Sequence, residues 1–183
     1  MDTTKGAGLG KRGKGLEEGY FTKLDRERIE RLRTERERGE ARESLARQSE
    51  IAEDSVDFLL DIGIAAETLP AIDWIPLVEV AWSDGDVDKP EAEVLLAAAE
   101  SDHVDSAHPA HQLLSSWIEK RPGPALFDAW KLHVSLAGRT PEQRAQILDR
   151  SREVAGASGG FMGIKTVSSS ESTVLEKIEA LLG

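Results

Sequence analysis

Asp84, Asp86 and Asp88 stand at alternate positions, so one short stretch collects three hard oxygen donors of the kind a calcium loop uses. The spacing is not that of an EF-hand loop. Such a loop needs glycine at its sixth position and a bidentate glutamate at its twelfth, and counted from Asp84 those positions are Lys89 and Leu95. The same residues also suit a turn and a cap. Asp84-Gly85 makes the turn, Asp88 caps the helix that follows, and Glu91 closes a capping box at a terminus whose dipole favours acids.

Other chemistry-bearing residues point away from catalysis. His103, His108 and His111 lie close in the chain, but Pro109 marks a helix start between them and no neighbouring motif supplies a third metal ligand, so surface or capping roles are expected. Ser168 to Ser170 lack a nucleophile-elbow pattern and suit a helix cap. Gly156 to Gly163 reads GASGGFMG, which is neither a phosphate loop nor a dinucleotide fingerprint. The chain has no cysteine, which excludes disulfides, thiolate metal sites and a thiol nucleophile. A non-enzymatic protein is expected.

The elements that must position these residues divide at about residue 50. Residues 1 to 50 hold 13 Lys/Arg against 11 Asp/Glu, net +2, whereas residues 51 to 183 hold 10 against 23, net −13. The acidic total of −11 argues against nucleic acid or an anionic membrane as the partner and leaves a protein as the expected one. No run is long and apolar enough to insert in a bilayer, and Met1 to Gly15 has no apolar segment of the secretory kind, so the expectation is a cytoplasmic protein.

Residues 1–15 are a basic, Gly-rich leader with too little apolar surface to offset the entropy of ordering it, and are expected to be disordered when free. Residues 16–48 are dense in Glu, Arg and Lys, with Glu27/Arg31 and Glu43/Arg47 at helical pairing distance, and predict a long solvated helix. From Ile51 to Gly183 apolar residues recur at three- and four-residue spacing and no strand pattern occurs. The fold class expected is all-α: an extended N-terminal helix followed by a compact bundle. Helices are predicted over Ser55 to Ile62 with Gly63 as the stop, and Ala65 to Trp82 with a break at Pro70 and Pro76. Others follow from Asp88 to Ser101, Pro109 to Lys120, Pro124 to Ala137 and Pro141 to Ala155, with a last one after Ser168. Asp88/Glu91, Thr140/Gln143 and Ser168/Glu171 all read as capping boxes. Trp74, Trp82, Trp117 and Trp130 fall in the apolar patterns and are expected in or beside the core.

An offset of 80 residues lays Asp86 to Leu95 over Thr166 to Leu175, matching Val87 with Val167, Glu91 with Glu171, Val94 with Val174 and Leu95 with Leu175. Two capped amphipathic helices would share that much by themselves. A duplicated half-bundle is the other reading.

The stretch Val78 to Leu95, an apolar helix running into Ser83-Asp84-Gly85, Val87, Asp88 and Glu91, resembles the TerB-like (tellurite-resistance-associated) helical domains. The resemblance extends over about residues 59–182. It implies about seven helices and, in some members, a divalent cation held by acidic residues of this loop, here Asp84, Asp88 and Glu91 with Asp86 close by. The second copy departs from it, with Ile164 and Lys165 where the first has Asp84 and Gly85.

In the arm, Gly10-Lys11-Arg12, then Glu17-Glu18, Tyr20-Phe21 and Arg26-Glu27-Arg28-Ile29 with Leu32 are similar to the inhibitory segment of the ATPase inhibitor proteins of rotary ATP synthases. The resemblance covers Leu9 to Leu32. It implies a helix that enters a catalytic interface and blocks ATP hydrolysis. Tyr20 and Phe21 would be its anchors, Leu24, Ile29 and Leu32 further apolar contacts, and Glu17, Glu18 and Arg26 its ion-pairing residues. The arm has neither histidine nor a continued heptad seam after Leu32, so the dimerising, acid-gated part of that family is not matched. A TerB-like stress-response scaffold with a cation-binding acidic loop is the alternative expectation, and an arm folded back on its own bundle is a third arrangement.

Overall fold

The computed structural model describes residues 7–48, 51, 53–137, 139–157 and 167–183, and for 7–22, 24 and 25 the backbone alone. All regular structure among them is helical. Eight α-helices occur: α1 Ala7–Ala46, α2 Val56–Asp61, α3 Ile75–Ala81, α4 Lys89–Ser101, α5 Pro109–Glu119, α6 Ala125–Leu136, α7 Pro141–Ala155 and α8 Ser169–Leu182. Two 3-10 segments, Glu53–Ser55 and Ala66–Trp74, complete the set.

The chain divides into two units, Met1–Glu40 and Ala41–Gly183. In the first, helix α1 starts inside the stretch expected to lack structure. Gly8, Gly10, Gly13 and Gly15 each cost about 1 kcal/mol relative to alanine in a helix, so these opening turns are intrinsically the weakest of α1. Further along, ion pairs at four-residue spacing support a solvated helix: Lys23 with Glu27 at 3.9 Å, Arg33 with Glu37 at 2.8 Å and Arg36 with Glu40 at 2.7 Å. Glu27 therefore pairs backward with Lys23. All six side chains are exposed, so solvent screens these pairs and they add little to stability.

The second unit takes in the last turn of α1, where Leu45 is fully buried in the core. The segment rich in apolar residues after Ala65 is divided rather than continuous. Pro70 lies inside the 3-10 segment, and α3 begins at Ile75 with Pro76 in its first turn, where a missing N–H leaves no helical bond unmade. Gly63 ends α2 with φ +87, the left-handed conformation that favours glycine. Trp74, Trp130, Leu59, Ile64, Leu77, Leu95, Leu114 and Ile178 fill the core, each contributing about 1.5–3 kcal/mol by leaving water.

Helices α3 and α7 pack on each other, and each also packs on the other's successor: α3 on α8, and α7 on α4. The helix pairs α3–α4 and α7–α8 thus exchange equivalent contacts, as two related halves would. The 3-10 segment Ala66–Trp74 packs on α5 and also on α3 and α4, and α6 joins α3 and α8.

Candidate functional site

The acidic loop is built from the end of α3. Gly85 adopts φ +107 with open space around it, so the turn needs glycine for backbone reasons alone. The Asp86 amide faces Asp84 Oδ1 at 3.4 Å, while Asp88 takes an extended conformation that starts α4. The capping box is complete: the Glu91 amide donates to Asp88 Oδ1 at 2.9 Å and the Asp88 amide donates to Glu91 Oε2 at 2.9 Å. The second half repeats this at α8, where the Glu171 amide donates to Ser168 Oγ at 3.1 Å and the Ser168 amide donates to Glu171 Oε2.

Both closing glutamates are buried, at 2% and 3% exposure. Burial pushes the Glu91 carboxyl up to about 7, with the negative charges of Asp88, Asp84 and Glu171 adding to it and the hydrogen bond from the Asp88 amide opposing. The residue that closes this cap therefore holds a carboxyl poised near neutrality.

As a cation site the donors do not fit. Among the described residues, no group of three or more His, Cys, Asp or Glu side chains is placed to hold a metal ion. Asp84, Asp86 and Asp88 serve the turn and the cap instead, and Glu91 is directed to the Asp88 amide. The three histidines weighed in the sequence also do local work. His103 ends α4 in the left-handed conformation (φ +63), His108 Nδ1 caps α5 by accepting from the Ala110 amide at 3.1 Å, and His111 lies beside Ser115.

On the arm, Arg26, Ile29 and Leu32 are exposed, Ile29 at 66% and Leu32 at 56%. The side chains of Glu17, Glu18, Tyr20, Phe21 and Leu24 lie outside the described residues, as does the Gly-rich stretch from residue 158 to 166.

The structure adds a site that the sequence reading missed. His133, on the buried stripe Leu126, Ala129 and Trp130 of α6, is 3% exposed, and its ring is pushed down to about 4 by burial and by the charge of Arg139. Arg139, in the linker to α7, is half-buried as a residue, with its side chain 8% exposed, and pairs through Nη1 with Asp73 Oδ1 at 2.6 Å. His133 Nδ1 and Arg139 Nε are buried without a hydrogen-bond partner. Both residues line a cavity of about 530 Å³ bounded by the 3-10 segment, the end of α6 and the start of α7. The stripe at positions 126, 130 and 133 was the available signal for His133. Nothing local links Asp73 to Arg139.

Comparison of the chain with protein-family models, with curated proteins and with solved structures finds no match in any of the three.

Proposed function

We propose that the chain is a non-enzymatic regulator of the ATPase-inhibitor type, whose helix α1 docks in a catalytic interface of a rotary ATP synthase and blocks ATP hydrolysis. The observation that carries this reading is the exposure of Ile29 and Leu32. Two large apolar side chains, three residues apart in the otherwise charge-rich stretch from Arg26 to Glu40, gain about 2 kcal/mol each when a partner's groove removes them from water. They fall on the apolar positions of the inhibitory pattern that Gly10-Lys11-Arg12, Glu17-Glu18 and Tyr20-Phe21 begin.

The physics of such a segment suits the role. Glycine-rich opening turns are weak alone and become helical when held, aromatic anchors supply affinity, and the Glu and Arg residues set register. The acidic unit Ala41–Gly183 is then the body that carries the arm.

Gel filtration of the full chain with the isolated catalytic sector of a rotary ATP synthase tests this. Co-elution is expected, and Ile29→Asp with Leu32→Asp should weaken it at least tenfold. Equal binding by the variant would remove the arm from the interface.

A further inference from the structure

We infer that α1 pairs antiparallel with α1 of a second copy of this chain, through the face that carries Ile29 and Leu32. In a helix of 3.6 residues per turn, positions 25, 29, 32 and 36 follow one another at spacings of four, three and four and form one stripe. The stripe reads Asp, Ile, Leu, Arg. Its two apolar members are 66% and 56% exposed, so both stand largely in water.

Charge selects this occupant and its direction. Reversing the stripe gives Arg, Leu, Ile, Asp, so an antiparallel copy sets Ile29 against Leu32 and Asp25 against Arg36, twice each by two-fold symmetry. A parallel copy would set Asp25 on Asp25 and Arg36 on Arg36. The flank carries the same sense. Arg28 and Glu35, both exposed, stand seven residues apart on one side of the stripe, and reversal brings the Arg28 of each copy to the Glu35 of the other. On the opposite side Arg26 meets Arg33, but Arg33 is already held by Glu37 at 2.8 Å, which offsets the like charge. A shallow groove lined by Arg26, Ile29, Glu30, Arg33, Thr34 and Glu37 offers the kind of hole that Leu32 of a second copy enters as a knob.

The interface is small. Two Ile–Leu layers bury less than the roughly 1,200–2,000 Å² of a stable interface, so the pair forms at high concentration and parts on dilution. It involves only copies of this chain, and its failure would leave docking on a rotary ATP synthase untouched.

Sedimentation equilibrium of the full chain alone, from about 10 μM to about 1 mM, tests the pairing. The mean mass is expected to climb from that of one chain toward that of two and to go no higher, since a two-fold pair is closed. Ile29→Asp with Leu32→Asp should weaken association at least tenfold with the helical circular dichroism unchanged. Arg28→Glu should weaken it at least threefold, and adding Glu35→Arg to that variant should restore it, because the exchanged charges again meet their opposites in the antiparallel register. A single chain at every concentration, as a different protein or another part of the same chain covering this face would give, overturns the proposal. So does a double exchange no tighter than Arg28→Glu alone, or equal association by Ile29→Asp with Leu32→Asp.

Discussion

Glu91 and Glu171 are the same residue in two halves of one design: each is the third residue of a capped helix, each accepts from the amide of its own cap residue, and both are buried. The charge of Glu171 reaches Glu91 and helps to hold its carboxyl near neutrality. Helices α3–α4 and α7–α8, which carry the two, exchange equivalent contacts across the core. The 80-residue offset thus corresponds to a spatial relationship, beyond two helices that merely cap alike.

Replacing Glu91 should make the protein more stable at and above neutrality. Its folded value of about 7 stands above the ordinary 4.5, so between those values the native state holds a proton that the unfolded chain does not. Stability therefore falls as pH rises through that window, by about 3 kcal/mol at most, and is flat above it. Glu91→Gln keeps an oxygen for the Asp88 amide and removes the ionisation. Urea denaturation at pH 5 and pH 8 should show the variant gaining on the native chain only at the higher pH.

His133 contributes the opposite slope. Its folded value of about 4 lies below the ordinary 6.5, so stability is fully present above 6.5 and is lost as pH falls toward 4, again by about 3 kcal/mol. Between 4.5 and 6.5 the Glu91 and His133 slopes cancel, and the native chain should show little pH dependence from this pair. His133→Leu should expose the falling Glu91 slope, and Glu91→Gln the rising His133 one, in denaturation midpoints measured from pH 4 to 8.

Asp102 joins three elements. Arg150 donates to it from Nη1 at 2.8 Å and from Nη2 at 2.7 Å, and Trp74 donates from Nε1 at 2.8 Å. Burial alone would raise its carboxyl, but these hydrogen bonds and the guanidinium charge together hold it below the usual value. Asp102→Asn should cost about 2–4 kcal/mol, because it leaves a half-buried guanidinium without its counter-charge. A double-mutant cycle with Arg150→Met should return a coupling energy above about 1 kcal/mol in urea denaturation.

Gly63→Ala should cost about 1–2 kcal/mol from its left-handed backbone alone, since an added Cβ would meet Leu113 at 3.5 Å, an ordinary contact. Gly39 is the control: an added Cβ there meets nothing within 4 Å, so Gly39→Ala should raise the helical circular dichroism signal without lowering the thermal midpoint.

What was legible in the sequence was local. Asp88/Glu91, Thr140/Gln143 and Ser168/Glu171 are three-residue signals, and all three form reciprocal capping boxes. Pro70 and Pro76 announced the break between the 3-10 segment and α3 because each constrains its own turn. Leu45 was not legible, since it stands alone among Glu43, Ser44 and Arg47 and its burial depends on helices far along the chain. The cavity was hidden for the same reason. Asp73 and Arg139 are 66 residues apart, and only packing of the 3-10 segment near the α6–α7 junction brings their charges to 2.6 Å. The acidic loop carried two readings in the sequence, a cation loop and a turn with a cap, and its hydrogen bonds are those of the turn and the cap.

The regulatory reading meets its most direct test in ATP hydrolysis by an isolated rotary ATP synthase as the full chain is titrated in. The account predicts progressive inhibition that saturates, and its loss when Tyr20→Ala and Phe21→Ala are combined. An undiminished hydrolysis rate at a large molar excess of the chain, or equal inhibition by the double variant, would contradict it.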